Sequence, residues 1–227
     1  MYYDVTYILV IIAAVLCMAA SAGVKSTYNK YAKVLSMSGM TGAQVADRIL
    51  RQNGITDVGI AHVGGNLTDH YDPRSKMVNL SDSVYDATSV AAVAVAAHEC
   101  GHVMQHARGY LPLKIRTALV PAANIGSKAG IPIIMLGLIL GLTPFVDLGI
   151  WVFSLAVLFQ VVTLPVEFDA SHRALIMLED YGILAHDEVS GSRKVLQAAA
   201  MTYVASAASA ALQLLRFILL SNSRRRD

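Results

Sequence analysis

Three long apolar runs dominate the pattern of hydrophobic and polar positions along the chain. They cover Val5–Val24, Ala129–Phe145 and Leu148–Leu164. A transmembrane helix needs about 20 mostly apolar residues to cross the hydrocarbon core of a bilayer. The first run therefore predicts a span near the N-terminus. The other two are separated by a short turn that contains Asp147, and they predict a helical hairpin.

A fourth run, Leu196–Leu220, is long enough to span but carries Gln213 and Arg216 and is rich in Ala and Ser in its first half. An Arg near the centre of a membrane helix costs about 2.5–3.5 kcal/mol on the insertion scale. We expect a helix packed against the cytoplasmic face, with a fourth span as the alternative.

The segment between the first and second apolar runs has the hydrophobic patterns of shorter helices and strands. Thr41 is a plausible N-cap of an amphipathic helix that ends near residue 53, and 58–63 has the pattern of a short strand. Residues 77–80 would form the return strand of a small β-hairpin. Ser89 or Thr88 then caps an Ala/Val-rich helix that ends at about residue 107.

Composition supports a membrane protein. The 227 residues are 55% hydrophobic and 15% charged, against roughly 45–50% and about 25% in soluble domains. The formal net charge of +2 gives no reason to expect nucleic acid as a partner. The two cysteines do not form a disulfide framework. We predict a mainly α-helical integral membrane protein with about three spans.

The distribution of basic residues predicts the topology. Residues 25–128 contain eleven Lys and Arg, whereas the N-terminus before the first run and the 143–148 turn contain none. By the positive-inside rule the middle segment is cytoplasmic. A cleaved signal peptide is the rival interpretation of the first run, but the basic n-region of such a peptide is missing. The predicted domains are an anchor at 1–24, a cytoplasmic region at 25–128, a transmembrane hairpin at 129–165, and a third-ligand helix followed by a C-terminal helix and the basic tail Arg224–Arg226 at 166–227.

His98, Glu99 and His102 form an H-E-x-x-H motif inside the predicted Ala/Val-rich helix. Residues i and i+4 share one helix face, so both imidazoles can reach one Zn²⁺. Glu99 is rotated about 100° from His98 and can act as a general base without binding the metal. The alternative is two core histidines and a stray glutamate, but the Ala and Val neighbours supply no polar partners for them.

A catalytic zinc ion usually takes a third protein ligand. The extended motif H-E-x-x-H-x-x-G-x-x-H places its third His where this chain has Arg108. His106 lies roughly 12 Å along the helix axis from His98, too far for one ion to bind both easily. The remaining candidates are three downstream glutamates: Glu167, Glu179 and Glu188.

Glu167 stands apart from the other two because it follows the third apolar run directly. A carboxylate at the bilayer boundary is costly without a partner, and a zinc ion would supply one. Glu179 is at a predicted helix end, and Glu188 is in a polar loop.

The segment Glu167–Ser171, EFDAS, resembles the E-[FY]-x-A-D segment of the membrane gluzincins, the HtpX and CAAX-prenyl-protease-like families. More closely, the chain is similar to the YugP-type neutral zinc metallopeptidases of bacterial membranes. That resemblance rests on segments that run nearly end to end: 67–74, 96–99, 101–102, 164–171 and 198–204.

The resemblance implies zinc, peptide hydrolysis and a multipass protein of the bacterial plasma membrane. It implies His98, His102 and Glu167 as zinc ligands and Glu99 as the base. Ser171 stands where the wider gluzincin pattern has an Asp that buttresses a ligand His, and Asp169 is the candidate substitute.

Other candidate site residues are less sharply defined. His172 and Tyr203 are candidates for stabilising a tetrahedral oxyanion, although each is more typical of a structural hydrogen-bonding residue. The strand formed by Met77, Val78, Asn79 and Leu80 is expected to be an edge strand that pairs with the substrate backbone.

Together these features predict a metalloendopeptidase with one Zn²⁺ per chain. It would face the cytoplasm and cleave peptide or membrane-protein substrates near the membrane surface. Two alternatives stay open: a non-catalytic membrane scaffold that keeps zinc for structure, and an intramembrane protease.

Overall fold

The computed structural model describes residues 5–224, which form six helices and three strands. In chain order these are α1 (Tyr7–Tyr31), α2 (Gly42–Gln52), β1 (Gly59–Val63), β2 (His70–Asp72), β3 (Met77–Ser81), α3 (Val90–Ala107), α4 (Leu111–Leu140), α5 (Thr143–Asp180) and α6 (His186–Arg224). The chain divides into two compact units. We call residues 5–21, 111–165 and 201–224 the apolar unit, and residues 22–110 and 166–200 the mixed unit.

The prediction of a mainly helical membrane protein is confirmed. Four helices of the described chain are long and apolar enough to cross a membrane: α1, α4, α5 and α6. The second apolar run lies in α4, which begins at Leu111 rather than at residue 129. Its first turns carry Lys114 and Arg116, and these charges hid the true start of the helix from the hydropathy pattern.

Small residues allow α4 and α5 to pack closely inside the apolar unit. A Cβ added to Gly126 would lie 2.7 Å from the backbone oxygen of Val152, and one added to Gly130 would lie 2.8 Å from Cβ of Phe153. Glycines at such contacts are typical of helix pairs in membranes, where close backbone approach replaces the hydrophobic effect as a source of association. The predicted hairpin is therefore held along its length.

Arg216, which argued against a fourth span, has partners within the apolar unit. Its guanidinium lies 4.3 Å from the ring centroid of Tyr7, and its Nε donates to Thr6 Oγ1 at 3.3 Å. Further along α6, Ser221 Oγ donates to Asp147 at 3.1 Å. The end of α6 therefore lies beside the starts of α1 and α5. The side chains of the predicted basic tail, Arg224–Arg226, lie outside the described residues.

The mixed unit contains a three-stranded sheet in the order β1-β3-β2. A hairpin is present, but β2 and β3 form it, whereas β1 pairs with β3 in parallel. The pairing predicted from the sequence, β3 returning beside β1, is therefore wrong in direction. β3 is also the central strand. Met77, Val78, Asn79 and Leu80 consequently do not form a free edge, because both sides of the strand are flanked by neighbours.

Both predicted helix starts in the mixed unit are confirmed at their caps. Thr41 caps α2 through a capping box with Gln44. Ser89 caps α3 by accepting a hydrogen bond from the backbone N–H of Ala92 at 3.2 Å. The apolar faces of α2 and α3 then share one core with the sheet.

No break separates the third apolar run from the residues that follow it. α5 is continuous from Thr143 to Asp180 and includes Pro165. Pro165 lacks an N–H and cannot make the usual i to i−4 hydrogen bond. The predicted boundary between the transmembrane hairpin and the third-ligand helix, at residues 165 and 166, therefore lies inside one continuous helix.

Candidate metal centre

α3 places His98 and His102 side by side on one face of the mixed unit. Their ring centroids are 4.8 Å apart, and the rings are nearly perpendicular. The reason is the helical spacing: residues four apart lie one above the other on the same face. The Nε2 atoms of both rings can therefore be directed towards one point.

Gly101 allows α5, the helix that carries Glu167, to pack closely against α3. A Cβ at this position would collide with the backbone of Ala170 in α5. Only a residue without a side chain permits such a close approach of two helix backbones. The contact lies one residue before His102 in α3 and three after Glu167 in α5, so it sets the distance between their side chains.

Glu167 faces both histidines. Its Oε2 lies 3.4 Å from His98 Nε2 and 3.6 Å from His102 Nε2, and the residue is 2% exposed. The three residues are a group whose ligand atoms lie within 4.8 Å of one another. The other two candidate glutamates are engaged elsewhere: Glu179 pairs with His186 at 3.4 Å, and Glu188 accepts backbone hydrogen bonds from Met37 and Ala185.

The donor set fits zinc in chemistry and in spacing. Zinc binds His nitrogen and carboxylate oxygen, at about 2.0–2.2 Å, and prefers a tetrahedral arrangement. Two ligand atoms at such distances in a tetrahedron are about 3.4 Å apart. The distances from Glu167 Oε2 to the two imidazoles, 3.4 and 3.6 Å, match that separation.

Glu99 is buried beside this group but is not one of its three members. Its side chain is on the same helix, and the residue is 7% exposed. Burial lowers the pKa of the His102 imidazole, but the carboxylates of Glu167 and Glu99 raise it by more, and the net pKa of His102 is raised. Glu99 therefore lies close enough to His102 to contribute to the electrostatics of the candidate site.

His98 and His102 each have a further partner at the Nδ1 atom. Ser171 Oγ lies 3.2 Å from His98 Nδ1, and Gln105 Oε1 lies 3.0 Å from His102 Nδ1. The sequence interpretation noted Ser171 only as a departure from a family pattern and missed Gln105. The available signal was spacing, since Gln105 is three residues after His102 on the same helix.

The remaining predicted site residues lie at different places. Asp169 contacts neither histidine, but its Oδ2 accepts from Gln105 Nε2 at 2.8 Å. His172 is about 140° around α5 from Glu167, and it lines a cavity of about 410 Å³ with Asp169 and Arg173. Tyr203 belongs to the apolar unit. Oxyanion stabilisation by His172 or Tyr203 stays a prediction.

Comparison with known proteins points to the same chemistry. A family model described as "Putative neutral zinc metallopeptidase" matches residues 6–222. The "Putative membrane protease YugP" of Bacillus subtilis (strain 168) is 45% identical over 215 residues, which cover 94% of this chain and 96% of the relative. No solved structure matches the chain significantly. The resemblance found in the sequence is thus confirmed, and the chain belongs to the family described as putative neutral zinc metallopeptidases.

Proposed function

We propose that this protein is a zinc-dependent metalloendopeptidase of the bacterial plasma membrane that binds one Zn²⁺ per chain. The observation that supports it best is the convergence of His98, His102 and Glu167 at the spacing of a tetrahedral zinc site. The name of the relative from B. subtilis, a membrane protease, and the four candidate spans support the membrane location.

The chain's own residues would divide the work of hydrolysis between them. When bound, zinc would act as a Lewis acid that lowers the pKa of water towards neutrality and polarises the scissile carbonyl. His98, His102 and Glu167 hold the ion. Glu99, buried next to it, takes a proton from the attacking water and later delivers a proton to the leaving amine as the C–N bond breaks.

An extended substrate would pair with β2 rather than with the central strand β3. β2 is an outer strand of the sheet, and Tyr71 on it contacts His106 of α3, with Tyr71 Oη 3.2 Å from His106 Nδ1. The open side of β2 is therefore the sheet edge beside the helix that carries the motif. Backbone pairing of this kind supplies affinity without reading side chains, so we expect broad sequence tolerance.

The expected substrates are membrane proteins cut near the cytoplasmic surface. Glu167 follows the apolar run of α5 by less than one helical turn. The excess of Lys and Arg in residues 25–128 favours a cytoplasmic site. An intramembrane protease is disfavoured because α3 is not among the candidate spans of the described chain. A zinc-binding scaffold is disfavoured because it has no use for a buried Glu99.

The decisive experiment compares Glu99→Gln with the wild type in detergent or nanodiscs, using an unfolded protein substrate such as casein. We expect one zinc per chain in both proteins and a loss of cleavage of about 10²–10⁴-fold in Glu99→Gln, the usual contribution of a general base. Glu179→Gln is the matched control, because Glu179 is half-exposed and away from the site. The proposal would be contradicted if Glu99→Gln cleaved the substrate at the wild-type rate. It would also be contradicted if the wild-type protein bound no zinc and cleaved nothing.

A further inference from the structure

We propose that Gln105 is a positioning residue that fixes the tautomer of His102 and so prepares its Nε2 atom for zinc. The inference rests on the proposed function, because it assumes that His102 is a zinc ligand. It assigns a role to a side chain that the motif itself leaves unspecified.

The orientation of the Gln105 amide follows from its surroundings. The residue is fully buried, and its Nε2 donates to the backbone oxygen of Val166 at 2.7 Å and to Asp169 Oδ2 at 2.8 Å. A backbone carbonyl and a carboxylate are both acceptors. A flipped amide would direct its oxygen at two acceptors, which is unfavourable in a buried site. The NH₂ group must therefore face Val166 and Asp169.

The amide oxygen then faces His102. Oε1 of Gln105 is 3.0 Å from Nδ1 of His102, and an amide oxygen can only accept. Nδ1 must therefore carry the hydrogen. In a neutral imidazole with a hydrogen on Nδ1, Nε2 has the free lone pair. Nε2 is the atom that faces Glu167 at 3.6 Å.

The chain of contacts continues beyond Gln105. Asp169 Oδ2 also accepts from Arg173 Nε at 2.6 Å, which holds the carboxylate in place for the amide. The gluzincin pattern predicted that a carboxylate would buttress a ligand histidine directly. Here Asp169 acts on His102 through Gln105, and Ser171 contacts His98.

Ser171 provides an internal contrast. A hydroxyl can donate or accept, so Ser171 cannot by itself select a tautomer of His98. Removing each partner should consequently have unequal effects. The loss of Gln105 should weaken zinc binding more than the loss of the Ser171 hydroxyl does.

The test uses full-length protein in nanodiscs and two measurements: zinc affinity by competition with a chelator, and ¹⁵N NMR of labelled histidines in the metal-free protein at alkaline pH. A His102→Gln spectrum assigns the His102 signals among those of the seven histidines. We expect Gln105→Met to raise the Kd for zinc by about 10–100-fold and to shift His102 away from a pure Nδ1–H tautomer. Ser171→Ala should raise the Kd by less than Gln105→Met does.

The outcomes separate the two proposals. The proposed function fails if the wild type binds no zinc. It also fails if the His102→Gln variant binds zinc as tightly as the wild type does. If the wild type binds zinc through His102 but Gln105→Met keeps the same Kd and the same His102 tautomer, only the role of Gln105 fails. If Gln105→Met does not fold, Gln105→Asn replaces it. That variant keeps an amide, but its side chain is one methylene shorter and is withdrawn from His102 Nδ1, so an unchanged His102 tautomer and Kd would again overturn the inference.

Discussion

Cys100 lies inside the H-E-x-x-H motif, but it faces the core rather than the candidate metal centre. It is two residues from His98 and two from His102, yet its thiol is buried in the core and lies 3.8 Å from the backbone oxygen of Ala46. Burial, with a smaller contribution from Glu99, raises the pKa of the Cys100 thiol far above its ordinary value. A thiol is nucleophilic only as the thiolate. Cys100 is therefore a core residue rather than a nucleophile of the site.

We therefore expect Cys100 to resist alkylation in the folded protein. In a Cys17→Ser variant, whose only thiol is Cys100, iodoacetamide should label less than a few per cent of the protein even at about pH 9, above the ordinary thiol pKa of about 8.5. Mass spectrometry after labelling gives the readout. Full labelling in denaturant is the control for reagent and access. Rapid labelling of the native variant would show that the thiol is not buried.

For individual residues, the sequence indicated which side chains would lie close together but not which hydrogen bonds would orient them. The helical period predicts His98 and His102 on one face, and elimination leaves Glu167, which the structure brings to both. Their roles as ligands stay predictions. The bond from Gln105 to Asp169 joins residues 64 positions apart. Such a contact depends on how α3 packs against α5, which local periodicity does not contain.

Packing between elements decides whether the site exists at all, and Gly101 is the critical position. The collision of an added Cβ with the backbone of Ala170 cannot be relieved by a rotamer change. We expect Gly101→Ala to destabilise the folded state by about 1–3 kcal/mol, the usual cost of overpacking. The helix shift should also separate the ligands and weaken zinc binding by more than tenfold.

The matched control is Gly23→Ala in α1. A Cβ at Gly23 would meet nothing within 4 Å, so the substitution should leave stability unchanged or raise it slightly through helix propensity. Thermal unfolding and chelator competition measure the two effects. Equal behaviour of the two alanine variants would mean that Gly101 does not set the spacing of α3 and α5.

The sheet illustrates what alternation and turn residues cannot specify. The strand at 58–63 and the strand at 77–80 were both found, because each has its own apolar pattern. The relative direction of the two strands was not predicted correctly, because it depends on the segment between them. That segment is tied by Asp82, which accepts from the backbone N–H of Gly65 at 2.7 Å, and by Asp69, which accepts from Ser81 N at 2.7 Å. These side-chain bonds hold β1 parallel to β3.

For the whole molecule, the membrane topology depends on whether α6 crosses the bilayer. Hydropathy left it undecided because Arg216 and Gln213 interrupt the run, whereas the apolar unit gives Arg216 the ring of Tyr7 and the hydroxyl of Thr6. An arginine near a helix end can extend its charged head towards the interface. We therefore favour the fourth span over the surface helix. An even number of spans places both termini on the same side of the membrane.

Cysteine accessibility tests this topology. In a background with Cys17→Ser and Cys100→Ser, we expect Ser223→Cys to react with a membrane-impermeant maleimide on intact cells. Ser75→Cys, in the turn after β2, should react only after permeabilisation. Val5→Cys serves as the N-terminal control and should behave like Ser223→Cys. If position 223 is protected like position 75, α6 does not cross the membrane.

The three residues of the candidate metal centre come from helices that lie far apart along the chain, so they are synthesised at different times. A ribosome makes α3, with both histidines, before α4 and the first half of α5. Glu167 emerges only after the whole hairpin sequence has been synthesised, and the candidate metal centre is incomplete until then. A chain that is truncated or stalled before this point carries His98, Glu99 and His102 but not Glu167. On the proposed assignment, such a chain could not complete its zinc site, so hydrolysis would begin only after the hairpin has been made.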